Sequence, residues 1–174
     1  VFHVAYLESS LKILRSVCFW CSALLAPHAA APRRRLANKK QLAALALAGK
    51  ATHECPVCKG KQPAYARHGA TIERAWPADA TFATQAERKA ANRRFDGRAA
   101  HTILKHISDD DIERLGMHVD NSRPCDLILT TLLVPSVVVR PSVTVDEGSR
   151  TRGQDDLTLK LQDIVKANNM LRDA

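Results

Sequence analysis

Val17-Cys18-Phe19-Trp20-Cys21 and, with 33 residues between Cys21 and Cys55, Cys55-Pro56-Val57-Cys58 decide how the first third of this chain is built. Each pair has the Cys-x2-Cys spacing, and two pairs supply the four thiolates that close a tetrahedral zinc site with no open position for chemistry. A metal held this way fixes structure and does not catalyse. Structural zinc contributes roughly 10–16 kcal/mol in isolated zinc-finger peptides, enough to fold a segment without a core of its own. Two disulfides or free thiols are the other reading of the same residues. A two-residue spacer suits metal better than a compact disulfide, and Cys125 would be left over as an odd thiol.

Outward from the knuckles, charge is the next signal. The chain of 174 residues is long enough for one ordinary domain, or for a small zinc module attached to part of a larger one, and 5% aromatic content is thin for a self-contained core. Its net charge of +8 is unevenly placed: from Ser10 to Ile72, eleven Lys or Arg face one acid, Glu54. A positive field on a zinc-bearing module favours a polyanion, most simply nucleic acid. The chain starts at Val1 rather than Met, and a helical pattern runs on to Ala174, so both ends read as cut from something longer. Arg15, the apolar stretch to Leu25 and Ala29-Ala30-Ala31 mimic the zones of a signal peptide. The knuckle interrupts them, and no run approaches the roughly 18 apolar residues of a membrane span, so no membrane association is expected.

Leu7, Leu11 and Leu14 share one face of an expected first helix, and Leu36–Leu47 is a good helix former with Gly49 as its stop. Arg33-Arg34-Arg35, Lys39 and Lys40 read as a solvated face rather than as phosphate contacts. After the second knuckle Lys59, Lys61 and Arg67 form a basic stretch, and 77–94 is Ala-rich, polar and without clear period. Phe95, Ile103, Leu104 and Ile107 make a helical stripe. Ser108 then caps a short helix through Leu115, which Gly116 ends. The apolar, β-branched run Leu127–Val134 predicts a buried strand ended by Pro135. Val137–Val139 and Val143–Val145 predict a second extended segment, broken at Arg140-Pro141.

The last element is the most regular. Asp155 and Asp156 suit a helix N-terminus, and Leu157, Leu161, Ile164, Asn168 and Leu171 recur at the 4, 3, 4 and 3 spacing of a coiled-coil seam. An ordinary amphipathic helix packed on the strands fits the same five positions. If it is a seam, its partner helix is not found in this sequence.

Several stretches carry a family resemblance. Val1-Phe-His-Val4, Leu14–Leu25 (LRSVCFWCSALL), Cys58–Pro63 (CKGKQP), Ile103–Gly116 (ILKHISDDDIERLG) and above all Arg123–Arg172 resemble the largest subunit of eukaryotic RNA polymerase II, in the family's order. LRSVCFWCSALL and the Ser-containing tail favour polymerase II, whereas DLILTTLLVP also resembles polymerase III and the compact CPVC is similar to archaeal forms.

That resemblance implies a fragment of the clamp, the jaw that closes over DNA and the RNA–DNA hybrid. It implies zinc on the residues matching Cys18, Cys21 and Cys58; the family's remaining ligand lies further upstream, and Cys55 takes its place here. It implies a zinc-stapled α+β fold: residues 1–76 as a zinc module with a basic insert at 26–52, a connector at 77–94, a clamp core at 95–150, and the first helix of a coiled coil at 151–174. Lys59, Lys61, Arg67 and Arg140 are then the expected nucleic-acid contacts, and Lys166, Asn169 and Arg172 the expected contacts for initiation and elongation factors. Other polymerase subunits would be partners and the nucleus the location.

The family's nucleotidyl transfer uses Mg²⁺ on an Asp-Gly-Asp motif. The sequence contains no such motif, so the complex would be the DNA-directed RNA polymerase and this segment would carry no catalytic residue. Asp109-Asp110-Asp111 reads as a helix cap, and His53 as a solvated histidine rather than a ligand. A free-standing basic zinc module that binds nucleic acid or a partner is the alternative from a different functional class.

Overall fold

Leu7, Leu11 and Leu14 bury one face of helix α1 (Leu7–Ser16), as their spacing predicts, with Ile13 beside them. The computed structural model describes residues 1–26, 38–80, 85, 87, 91–92, 95–144 and 152–173. These form two units, Val1–Thr130 and Thr131–Ala174, each taken by itself below. Most of the apolar core lies in the first, where each fully buried aliphatic side chain contributes about 1.5–3 kcal/mol. Ser10 and Ser16 share the buried side of α1 because their hydroxyls donate to the carbonyls of Tyr6 (3.0 Å) and Lys12 (2.8 Å).

Helix α2 (Asn38–Lys50) packs on α1 and does not stop at Gly49. Gly49 lies in its last turn, at the closest approach of the two helices, where a Cβ would overlap the carbonyl oxygen of Arg15. The glycine is there for contact, not termination. Gln41 on α2 is buried and donates to the carbonyl of Arg114. The Arg33-Arg34-Arg35 cluster lies outside the described residues, as does most of the 77–94 connector.

An element the sequence did not announce follows the second knuckle. Strands β1 (Ala64–His68) and β2 (Thr71–Ala75) form an antiparallel hairpin in which His68 faces Thr71. Gly69, at φ +60°, supplies the left-handed backbone that a two-residue connection favours. Tyr65 and Ile72 turn inward while most of their neighbours face solvent. Arg15 ties α1 to the hairpin by donating from Nε and Nη2 to the Tyr65 carbonyl at 3.1 and 2.7 Å. Phe95 N–H closes the other side on the Ile72 carbonyl at 2.7 Å.

Helices α3 (Gly97–Lys105) and α4 (Asp109–Arg114) follow the predicted stripe and cap. Phe95, Ile103, Leu104 and Ile107 are buried, and the Ser108 hydroxyl accepts the Asp111 N–H at 3.3 Å. Gly116, at φ +79°, ends the turn after Leu115.

The expected buried strand over Leu127–Val134 does not form. Pro124, whose fixed φ suits a helical first position, opens a 3-10 turn over Pro124–Leu127. Pairing is confined to residues 127–129: His3 N–H donates to Leu127 O at 3.2 Å, Ile128 bridges Phe2, and Val1 and Leu129 exchange two hydrogen bonds of 2.7 Å. From there the run turns out to solvent, with Leu133 93% exposed. Hydrophobicity marks a segment that has something to bury, but no described residue covers this one.

In the second unit Val137–Val139 form an exposed turn rather than an extended segment, Val139 and Arg140 N–H bonding back to the Ser136 and Val137 carbonyls. Strand β3 (Val143–Thr144) is extended as expected and pairs antiparallel with β4 (Arg152–Gly153). Helix α5 (Asp156–Arg172) begins where the acids predict, the Asp155 carboxylate accepting Leu157 N–H at 2.9 Å. None of its residues is buried, and Leu157, Ile164 and Leu171 are exposed.

Candidate metal centre

Both Cys-x2-Cys segments fold into the same turn. Cys18 N–H donates to Ala23 O at 2.8 Å, and Cys55 N–H to Gly60 O at 3.0 Å. Ser22 and Lys59 N–H then donate to the carbonyls of Cys18 and Cys55, at 3.1 and 3.0 Å. The residue after each second cysteine, Ser22 or Lys59, takes φ +59°, a conformation rare outside glycine. It bends the chain so that both sulfurs of a pair point the same way. Trp20 N–H on Cys18 Sγ (3.3 Å) and Val57 N–H on Cys55 Sγ (3.4 Å) complete the correspondence.

The two turns face each other, and all four Sγ atoms lie within 4.8 Å of one another. Cys18 and Cys58 are 3.5 Å apart at sulfur, and Cys21 and Cys55 3.6 Å. A disulfide would bring sulfurs to about 2.05 Å, and none is formed. A tetrahedral Zn–S bond of about 2.3 Å places sulfurs about 3.8 Å apart, so the observed cluster fits that ion. Donor type, number and spacing agree, and these are the residues that can hold a metal. Cys125 takes no part, and exposed His53 is not in the cluster.

Burial divides the thiols. Cys18 and Cys55 are fully buried, whereas Cys21 and Cys58 are exposed. Burial pushes the Cys18 thiol up to about 12, against the pull of the Cys21 and Trp20 amides. Cys55 is also raised by burial, but the Cys58 and Val57 amides and the neighbouring thiols outweigh it and bring it down to about 7. Of the thiols whose values are shifted, Cys55 is therefore the one that gives up its proton most readily.

Residues around the cluster hold the two turns together. Gln62, which was not singled out from the sequence, is buried and donates to Cys18 Sγ (3.2 Å) and Gly60 O (2.6 Å). It also accepts Phe19 N–H at 2.8 Å. The Trp20 indole crosses to the second turn, donating to Lys61 O at 3.2 Å, and a Cβ on Gly60 would meet it at 2.5 Å. Phe19, Trp20 and Trp76 pack with centroids 5.0–5.7 Å apart, and the Arg74 guanidinium sits over the Phe19, Trp76 and Phe95 rings at 5.2–5.7 Å. Such cation–π contacts hold a partly desolvated charge in place.

The family described as RNA polymerase Rpb1, domain 1, matches residues 1–174. A curated relative, the DNA-directed RNA polymerase III subunit rpc1 of Dictyostelium discoideum, is 31% identical over 202 aligned positions that take in 99% of this chain. The chain belongs to the RNA polymerase largest-subunit family. It spans 14% of that relative's length. The family expected from Arg123–Arg172 and the shorter stretches is thus the one found, and the relative is of class III rather than class II.

Of the expected nucleic-acid contacts, Lys59, Lys61 and Arg67 belong to the first unit and Arg140 to the second. Lys59 is exposed on the second turn, and Arg67 is exposed with its Nε on Gly69 O at 2.9 Å. Lys61 is already engaged by Asp79, at 2.5 Å to the carboxylate and 2.9 Å to the carbonyl, and that hydrogen bond holds the Asp79 carboxyl below its usual range. Arg140, in the second unit, donates to Pro135 O (3.0 Å) and Thr158 Oγ1 (3.2 Å) and is half-buried. Lys166, Asn169 and Arg172 are exposed on α5 at three-residue intervals, along one side of the helix.

Proposed function

We propose that the chain is the zinc-stapled part of the clamp of a nuclear DNA-directed RNA polymerase, contributing to RNA synthesis by holding DNA and the RNA–DNA hybrid rather than by chemistry. The reading is supported most by one observation: a closed set of four thiols, with no open ligand position, in a chain matched end to end by domain 1 of the largest subunit. Zinc bound there supplies a cross-link between two segments far apart in sequence. The cysteines supply its ligands, the turn amides orient the sulfurs, and Trp20 and Gln62 join the turns.

Nucleotidyl transfer and its Mg²⁺ belong to parts of the subunit outside this chain. Lys59, Arg67 and Arg140 are the cations assigned to nucleic acid, with Lys61 contributing once freed from Asp79. Lys166, Asn169 and Arg172 are assigned to transcription factors, and other polymerase subunits complete the assembly. We read the class as polymerase II from LRSVCFWCSALL and the tail. Subunits specific to class III co-purifying with the tagged full-length protein would move it to the class of its relative.

The test of the clamp is an assembled polymerase carrying Cys18→Ser and Cys58→Ser. Synthesis of a first dinucleotide on a preformed template should persist, while the complex should dissociate from DNA several-fold faster. Unchanged retention on DNA would overturn the reading.

A further inference from the structure

Four thiolates around Zn²⁺ leave two net negative charges, and half of this cluster, Cys18 and Cys55, is shut off from water. Buried charge of this kind is tolerated only where hydrogen-bond donors replace the lost solvent. Cys18 receives three: Trp20 N–H at 3.3 Å, Cys21 N–H at 3.5 Å and Gln62 Nε2 at 3.2 Å. The first two are built into the turn and survive any substitution of side chains. Gln62 is, among the described residues, the side-chain amide that donates to a sulfur of the cluster.

The rest of the same amide is also committed. Its oxygen accepts Phe19 N–H, inside the first turn, and its second N–H reaches Gly60 O, at the end of the second. Its own backbone N–H donates to His53 O at 2.9 Å, just before that turn. One planar group therefore touches a ligand sulfur and both ligand-bearing turns.

We propose that Gln62 is the positioning residue of the metal centre: it stabilises the buried Cys18 thiolate and locks the two turns around the ion, and so controls how slowly metal leaves. The proposal rests on the zinc reading above. Outer-shell partners of metal ligands commonly change metal affinity about 10- to 100-fold when replaced, and a release rate faster by about ten-fold or more is expected here.

The experiment uses the 174-residue chain loaded with zinc or with cobalt(II), in wild type, Gln62→Glu, Gln62→Met and, as a core control, Ile72→Val. Zinc content is measured first, then release to an excess of a chromogenic chelator, then the thiolate-to-cobalt absorption band. The glutamate keeps the acceptor for Phe19 but replaces the donor with charge; the methionine keeps length and removes both polar functions. Faster release in both Gln62 variants, with the cobalt band moved to lower energy because the sulfur lone pair has lost a donor, supports the assignment. If Gln62→Glu fails to fold, Gln62→Met alone decides. Release at the wild-type rate with an unmoved band overturns it, as does equally fast release from Ile72→Val, which would mark general loosening. A wild-type chain that binds no metal instead removes the zinc reading, and this proposal with it.

Discussion

Gly49 lies where α2 meets α1, and a Cβ there would overlap the Arg15 carbonyl oxygen. In a helix interior glycine is about 1 kcal/mol less favourable than alanine, so Gly49→Ala would stabilise an isolated α2. Here the added methyl would strike the Arg15 carbonyl, and Arg15 cannot simply move because its guanidinium is fixed on Tyr65. The clash should prevail: Gly49→Ala is expected to destabilise the chain by about 1–3 kcal/mol, the usual cost of overpacking. Urea denaturation of the zinc-loaded protein measures it, and a raised midpoint would show that α1 and α2 separate at little cost. Protons at the ligands give a second prediction at this scale. Burial keeps Cys18 protonated up to about 12 without metal, so zinc must displace that proton throughout the neutral range, whereas Cys55 is lost as a ready thiolate only as pH falls through about 7. Zinc affinity should therefore fall with acid, and more steeply below pH 7. Competition titrations at several pH values check this; a pH-independent affinity would exclude thiolate ligation.

At the scale of elements, local signals were legible and close packing was not. The Ser108 cap, the Gly116 stop and the Asp155 start each depend on a few adjacent residues, and the structure has all three. The four thiols that could hold a metal were equally plain as a group, because Cys-x2-Cys is a local spacing and the structure brings both pairs together. Gln62 was missed because its meaning lies in contacts with Phe19 and Cys18, more than 40 positions away. The hairpin was missed because a strand of five residues with one inward side chain carries almost no alternation. Leu127–Val134 misled in the opposite direction: its composition was that of a buried strand, but a proline set its start and no described residue covers its end. The α4 cap offers a measurable test of the local kind. Ser108→Ala removes the acceptor for Asp111 N–H and should cost about 1 kcal/mol, within the 0.5–2 kcal/mol range of such caps. A thermal midpoint unchanged by the substitution would mean that the first turn of α4 finds another acceptor.

For the whole molecule, charge and exposed apolar surface act in opposite directions, and salt separates them. The chain carries +8, its positive excess concentrated between Ser10 and Ile72 and the remainder slightly acidic, which favours polyanions and keeps copies apart. The second unit, however, leaves Leu133, Val138 and the α5 residues Leu157, Ile164 and Leu171 in water. Exposed apolar side chains of this kind attract one another in water. Added salt screens repulsion between copies and leaves apolar attraction in place, so self-association should increase from 50 mM to 500 mM salt. Binding to duplex DNA should weaken over the same range, because each phosphate contact releases counterions whose entropy gain shrinks as salt rises. Sedimentation velocity and a DNA titration on the same samples read both trends. Leu157→Gln, Ile164→Gln and Leu171→Gln together should abolish the first and leave the second, because none of the three alters a charge. If the triple variant associates as wild type does, the α5 face is not what holds the copies together, and the coiled-coil seam loses its physical support.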